Sequence, residues 1–326
     1  MKGGETYMAN SEYLLSSPPH VKSKELTGSA MRDVAIALLP VIVVAIYFFR
    51  LYAIVNLVAG VAAAIVCEWV MRKVMGREPS IGDFSAIVTG LFVAILLPPS
   101  VPFWYVIIGT VIAVALVKEL MGGLGTNVFN PALFGFVSLL IISQLFALGN
   151  TTLNLGSLDG VTSATPLTFI KAGALNGIRP GYWWLFLAHA GGSLGEVSVL
   201  AVLVGAAYLM YKGHITWHIP AAIMGTVFIL TAILGENPLY MILAGGLMFG
   251  AFFMATDWVT SPDNRLAQII YGVLIGVLIV VIRLYAAPTG AVAYSILIGN
   301  ACTPLLNRLF VRKRFGAVKT VPVETD

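Results

Sequence analysis

The chain has 326 residues, of which 59% are hydrophobic and only 10% are charged. Soluble domains carry about 25% charged residues, so this composition excludes a water-soluble globule and predicts a protein embedded in lipid. The net charge of +4 does not indicate nucleic-acid binding, because the Lys and Arg residues lie mainly between apolar runs and in the tails. The two cysteines, Cys67 and Cys302, are too few for this chain alone to hold an iron–sulfur cluster.

Residues 1–30 are polar and of mixed charge, without the apolar core of a secretory signal, so we predict a retained cytoplasmic tail. A membrane-spanning helix needs about 20 mostly apolar residues, and about ten such runs fill a predicted transmembrane domain at 31–310. They are 34–49, 53–70, 84–97, 103–120 and 131–148, then 197–211, 219–234, 239–255, 269–284 and 291–310. Residues 311–326 form a second predicted cytoplasmic tail.

Residues 149–181 interrupt the apolar pattern, because they are rich in Gly, Asn, Thr and Ser and are too polar to span a bilayer. With the N-terminus in the cytoplasm, only four of the 19 Lys and Arg residues fall outside: Arg50, Lys171, Arg179 and Arg283. The positive-inside rule therefore predicts both termini in the cytoplasm, an even number of spans and an extracytoplasmic loop at 149–181.

The parts of the chain before and after this loop, 31–148 and 182–310, resemble each other. The Pro98–Pro99 turn is matched by Ser261–Pro262, and Asn130–Pro131 is similar to Asn300–Pro304. Interrupted helices at matching places indicate a repeat-built membrane fold. With five spans in each half, the all-α fold would consist of two inverted five-helix repeats. Chance similarity between apolar sequences is the alternative.

The loop contains an acceptor motif made of Asp159, Thr162, Ser163, Ala164 and Thr165. Its small side chains leave the Thr165 hydroxyl open to a modifying enzyme, and the proline that follows favours an extended backbone there. The pattern resembles the recognition sequence of flavin transferases, which move FMN from FAD onto a threonine oxygen as a phosphodiester. We therefore predict covalent FMN on Thr165. The alternative is an ordinary Ser/Thr-rich turn, and glycine is more usual where Ser163 stands.

Further motifs extend the resemblance over almost all of the chain after Lys24. They are Leu97–Pro99, Lys118–Gly123, Asn127–Ala132, Gly192–Ser198 and Met254–Asp257. Together with the flavin motif they resemble the RnfD and NqrB family, and the short N-terminal tail favours RnfD. The resemblance implies a urea-transporter-like fold in a bacterial or archaeal inner membrane, with an extracytoplasmic FMN that relays electrons.

The resemblance to Rnf also implies a reaction and partners. The complex would pass electrons between reduced ferredoxin and NAD while it moves sodium ions or protons. The A, B, C, E and G subunits of Rnf, a flavin transferase and membrane lipid would be the partners. No Rossmann fingerprint is present, so the ferredoxin and NAD sites are expected on other subunits, and this chain is not expected to be catalytic alone. The alternatives are an NqrB-like subunit of a sodium-pumping NADH:quinone reductase and a urea-transporter-like channel.

Polar side chains in or beside the spans are candidates for an ion path or for a second, non-covalent flavin. In NqrB-like relatives this second flavin is riboflavin. Glu119 and Asp257 are the acidic candidates, although Glu119 could simply reach interfacial water. Asn127 and Asn130 lie at helix interruptions, where amides can bind a polar ligand. We predict no metal site.

Other polar and aromatic residues have plainer interpretations. Asp83 is expected to cap a helix, and His189 is expected to make a structural hydrogen bond. Trp183 and Trp184 are expected to belong to an interfacial belt. Contact with the flavin ring is the alternative for these two tryptophans. Capping and function compete evenly for Glu196. Several glycines are expected to permit close helix packing: Gly122, Gly123, Gly191, Gly192, Gly245 and Gly246.

Overall fold

The computed structural model describes residues 27–78, 80–145, 181–187, 192–286 and 290–310. Within these residues the chain forms helices joined by turns, and no strand. The predicted all-α class is therefore confirmed for the described part of the chain. Most of the predicted tails and flavin loop, residues 1–26, 149–180 and 311–326, lies outside it. Helix α1 begins at Thr27, inside the predicted N-terminal tail.

The part of the first half that the structure describes contains five α-helices. They are α1 Thr27–Phe49, α2 Leu51–Val74, α3 Ser85–Leu96, α4 Phe103–Val111 and α5 Pro131–Leu145, and α4 continues as a π-helical segment, Ile112–Glu119. Each contains a predicted apolar span or most of it. Helix α3 ends before Pro98 because a proline has no N–H and cannot continue a helix.

The second half contains seven α-helices within the described residues. They are α6 Tyr182–Leu187, α7 Val199–Tyr211, α8 His218–Ile233, α9 Pro238–Leu243, α10 Leu247–Phe249, α11 Arg265–Tyr285 and α12 Ala291–Leu309, with a π-helical segment, Gly250–Met254, directly after α10. The run predicted as a span at 239–255 is not one continuous helix. Gly245 and Gly246 have φ values of 68° and 66°, a left-handed conformation that glycine adopts readily and that ends α9.

Three described helices, α1, α2 and α11, are both long enough and apolar enough to cross a bilayer. Helices α3, α7 and α8 are apolar but shorter, as is most of α5. Large apolar side chains such as Val43, Val58 and Val281 are exposed on the long helices, which fits a surface that faces lipid. The chain is thus a membrane protein, while the ten spans and the inverted repeats remain predictions.

Close contacts between helices hold the bundle together. Helix α1 packs against α7 and so joins the two halves, α2 packs against α3 and α4, and α8 packs against α11. Glycines permit these approaches: a Cβ atom on Gly60 of α2 would lie 2.6 Å from the Gly90 carbonyl oxygen of α3. Small residues at such crossings let backbones approach in membrane proteins.

The glycines predicted to serve helix packing have another role. Gly122, Gly123, Gly192, Gly245 and Gly246 all have positive φ and lie in turns between helices. The packing interpretation was therefore wrong for these five, and Gly191 lies outside the described residues.

Candidate functional site

A pocket opens where α3 and α5 begin and α4 ends. The space within it is about 750 Å³, a volume that includes open solvent at its mouth. Both halves of the chain line it. The polar lining residues are Ser85, Thr89, Lys118, Asn127, Asn130, Thr256 and Asp257. Three of the four residues predicted for an ion or second-flavin path are thus brought together.

Aromatic side chains form much of the apolar wall. Phe92 of α3 meets Phe253 of the π-helical segment edge to face, with ring centroids 6.4 Å apart, and Phe252 also lines the pocket. Trp258 lies at the wall and its indole N–H donates to the carbonyl oxygen of His214 at 2.6 Å. Flat aromatic walls suit a planar ring system.

Asn127 lines this pocket and carries an unpaired hydrogen-bond acceptor. The side chain is 5% exposed, and its Nδ2 donates to the Phe129 carbonyl oxygen at 3.1 Å, which fixes the orientation of the amide. Its Oδ1 is buried and has no hydrogen-bond partner among the described residues. Because an unpaired buried acceptor is unfavourable, this atom indicates a ligand with an N–H or O–H group.

Asn130 presents a donor. Its Oδ1 accepts from the backbone N–H groups of Ala132 and Leu133 at 3.1 and 3.2 Å, which caps the first turn of α5. The side-chain NH₂ group makes none of these bonds and remains for the pocket.

Asn300 supports this arrangement from behind. In the orientation that pairs both atoms of its amide, Asn300 Oδ1 accepts from the Asn130 backbone N–H at 3.1 Å. Its Nδ2 donates to the Tyr271 hydroxyl at 2.7 Å and to the Ile296 carbonyl oxygen at 3.2 Å. Tyr271 and Asn300 are fully buried, so α11 and α12 fix the start of α5.

Asp257 supplies the negative charge of the pocket lining. The residue is half-buried, and its Oδ2 accepts from the Thr260 hydroxyl at 3.1 Å. Burial raises the pKa of the Asp257 carboxyl, while the hydrogen bond from Thr260 lowers it. An ion-handling role for this residue stays a prediction.

Lys118 supplies the positive charge, and it belongs to a buried polar network. The side chain is 1% exposed, and its Nζ donates to Glu68 Oε2 at 2.8 Å and to Ser85 Oγ at 2.6 Å. Glu68 is fully buried on α2 and also accepts from the Ser80 hydroxyl. Arg72 Nε lies 3.5 Å from Glu68 Oε1. Neither Glu68 nor Lys118 was predicted as a site residue.

Glu119 lies in this network and outside the pocket lining. Its side chain is fully buried, with Oε1 3.4 Å from Arg72 Nε and Oε2 without a partner among the described residues. The alternative that Glu119 reaches interfacial water is therefore wrong. Its place in an ion path stays a prediction.

A second buried cation, Arg283, lies at the other end of α3. Leu97, directly after α3, accepts from the Leu194 backbone N–H at 3.3 Å, and the turn that begins at Leu194 carries Glu196, close enough to interact with Arg283. The guanidinium of Arg283 donates to the carbonyl oxygens of Met241, Ala244 and Gly245. It therefore satisfies the backbone at the break between α9 and α10.

Of the remaining predicted residues, three lie in the described part of the chain and the others lie outside it. The Asp83 carboxylate accepts from the Ser85 backbone N–H at 2.8 Å at the start of α3, which confirms its capping role. Trp183 and Trp184 are 75% and 67% exposed. The flavin motif and His189 lie outside the described residues: Asp159, Thr162, Ser163, Ala164, Thr165 and His189.

Residues 14–316 match the profile of the family described as NQR2, RnfD, RnfE. A protein of Acetobacterium woodii, named as the D subunit of a Na(+)-translocating ferredoxin:NAD(+) oxidoreductase complex, is 40% identical over 94% of this chain and 96% of its own length. A protein of Clostridium ljungdahlii, named as the D subunit of a proton-translocating ferredoxin:NAD(+) oxidoreductase complex, is 37% identical over 96% of this chain and 98% of its own.

A third relative, from Alcanivorax borkumensis, is named as the D subunit of an ion-translocating oxidoreductase complex and is 34% identical over 93% of this chain. These matches run through the helices that line the pocket and through the chain between them. The chain therefore belongs to the NQR2, RnfD, RnfE family.

Proposed function

We propose that this chain is the membrane-embedded RnfD component of an Rnf-type complex, in which it relays electrons during ion-translocating transfer between ferredoxin and NAD. The likeness to RnfD-type proteins over nearly the whole length of both chains carries this proposal. The other components of the complex would hold the ferredoxin and NAD sites, because this sequence has no fingerprint for either.

Two flavins would serve the relay on this chain. FMN esterified through its phosphate to Thr165 is the first, and its support is the Asp159–Thr165 motif together with family membership. A covalent bond keeps a redox cofactor from diffusing away, while the surrounding protein sets its potential.

The second flavin would be non-covalent and would occupy the pocket, with riboflavin as the candidate. The isoalloxazine ring supplies reversible electron transfer and has a flat apolar end and a polar pyrimidine edge. Phe92, Phe253 and Trp258 suit the flat end. The unpaired Asn127 Oδ1 suits the ring N–H, and the Asn130 amide N–H groups suit a ring carbonyl oxygen.

Both assignments are tested by the flavin content of the purified chain, produced in cells that contain the flavin transferase. After denaturation, we expect one FMN mass on the peptide that contains Thr165 and a second flavin released into solution. A Thr165→Ala variant should lose the covalent flavin and keep the released one, because Thr165 supplies only the ester oxygen.

Thr168→Ala is the matched control, since it removes a hydroxyl from the same loop and should keep the FMN mass. Unmodified wild-type peptide would overturn the covalent assignment. A wild-type chain that releases no flavin would overturn the pocket assignment.

A further inference from the structure

Lys118 lines the pocket and has one N–H group without a partner among the described residues. A lysine ammonium has three N–H donors, and in the described residues two of them are used, by Glu68 Oε2 and Ser85 Oγ. Lys118 and Ser85 both line the pocket. The third donor is therefore available to a ligand bound there.

The hydrogen bonds around Lys118 all run in the direction that a charged ammonium requires. The Ser85 hydroxyl donates to Asp83 Oδ1 at 2.5 Å, so its oxygen is left to accept from Lys118. Glu68 accepts through both carboxylate oxygens, from Lys118 at Oε2 and from Ser80 at Oε1. These contacts hold the cation at a fixed point of the wall.

The charges near the pocket are few and are separated. Among its lining residues, the charged ones in the described part of the chain are Lys118 and Asp257, which come from the two different halves. Arg72 lies on the far side of Glu68 and does not line the pocket. Lys118 is thus the positive charge that a ligand would contact directly.

We propose that Lys118 contacts the pyrimidine edge of the second flavin and binds the reduced ring more tightly than the oxidised ring. This inference rests on the pocket flavin assigned under the proposed function. Two electrons, from a neighbouring redox centre of the complex, and one proton, from water, convert the neutral ring into an anion whose charge lies on that edge. A cation at hydrogen-bond distance stabilises this charged form over the neutral one.

The two asparagines complete the recognition. Asn127 Oδ1 accepts the ring N–H, and the Asn130 amide and the free N–H of Lys118 donate to the flanking oxygen and nitrogen atoms of the ring. Lys118 is therefore a residue that selects the redox state, whereas the asparagines recognise both states of the ring.

The test compares affinities for oxidised riboflavin and for dithionite-reduced riboflavin without oxygen. It uses the full-length Thr165→Ala chain in detergent after its non-covalent flavin has been removed, so that the added riboflavin is the flavin observed. The key variant combines Lys118→Met with Glu68→Gln, which removes the buried charges as a pair. We expect its ratio of reduced to oxidised affinity to fall by at least about tenfold, because one charge contact is lost in a partly buried site.

Lys118→Arg keeps the charge and should hold the ratio within about threefold of the parent, as a cation remains in contact. Lys212→Met removes an exposed cation outside the pocket and should leave the ratio unchanged. A purely structural role for Lys118 would lower both affinities together and leave the ratio constant, so the ratio separates the two roles.

Three outcomes would overturn the inference. If the paired variant keeps the parent's ratio of reduced to oxidised affinity, the inference about Lys118 is wrong while the pocket assignment stands. The same holds if the ratio falls as far in Lys118→Arg as in the paired variant. A parent chain that binds neither form of riboflavin overturns the pocket assignment and this inference together. If the paired variant does not fold, Glu68→Gln alone should raise the ratio, and a fall would contradict the proposal.

Discussion

Two buried cations lie at opposite ends of α3, and they differ in what they contact. Lys118 is 1% exposed and pairs with the carboxylate of Glu68 at the pocket wall. Arg283 is 4% exposed and donates to three backbone carbonyl oxygens. One cation is bound by another side chain and the other by the backbone.

The difference shows how a buried charge in a membrane protein should be interpreted. Helix C-termini leave carbonyl groups unpaired, and in a bilayer no water can reach them. Arg283 meets this need at the break after α9; its buried Nε has no partner among the described residues, but the residue does not line the pocket. Among the described residues the Lys118 side chain satisfies no backbone group, and it has a donor left over beside a pocket. The partners of a buried charge, more than its burial, indicate whether it serves a ligand.

The largest effect is expected from removing the charge of Lys118 alone. Lys118→Met removes the nearer of the two cations beside the buried Glu68 carboxylate, leaves only Arg72 at 3.5 Å, and should lower the free energy of unfolding by about 3–5 kcal/mol. Adding Glu68→Gln should recover most of this loss, because the pair is then removed as a unit. Thermal unfolding in detergent, followed by circular dichroism, measures both steps.

Absence of recovery in the double variant would contradict the pairing of Lys118 with Glu68. Arg308→Met is a suitable control, since this exposed cation of α12 should change the free energy of unfolding by less than about 0.5 kcal/mol.

A somewhat smaller loss of unfolding free energy is expected from removing Arg283, at the other end of α3. Arg283→Met leaves the carbonyl groups of Met241, Ala244 and Gly245 without their donor and should cost about 2–3 kcal/mol, since the turn can relax in part. Adding Glu196→Gln should give no recovery, because the carbonyl groups stay unpaired. The same unfolding measurement checks this, and a recovery like that at Lys118 would show that Arg283 is held by its acid partner after all.

The sequence was sufficient for features that depend on local composition. Apolar runs predicted where the described helices lie, and Pro98 and Pro99 marked the end of α3. The amides of Asn127 and Asn130 were predicted to bind a polar ligand because they lie at interruptions, and the structure places both in one pocket with Asp257.

Features that depend on distant partners could not be predicted in this way. Glu68 and Lys118 are separated by 50 positions along the chain, and no local pattern pairs them. The signals were a carboxylate within the apolar run of α2 and a lysine near the end of the run 103–120, positions that are unfavourable without a partner. The break after α9 was also missed, because a pair of glycines permits either close helix packing or a left-handed turn.

The smallest effect tests the backbone conformation at that break. Gly246 has φ 66°, and an added Cβ would lie 3.1 Å from Glu196 Oε1. Gly246→Ala should therefore cost about 1–2 kcal/mol of unfolding free energy, mostly from the left-handed conformation. Gly225 of α8 has open space at its Cβ position, so Gly225→Ala should instead stabilise by about 0.5–1 kcal/mol. The two substitutions are therefore expected to change the free energy of unfolding in opposite directions. If Gly246→Ala stabilised the protein as Gly225→Ala does, the turn that Arg283 caps would not have the described backbone. The contrast between Arg283 and Lys118 would then lose its physical basis.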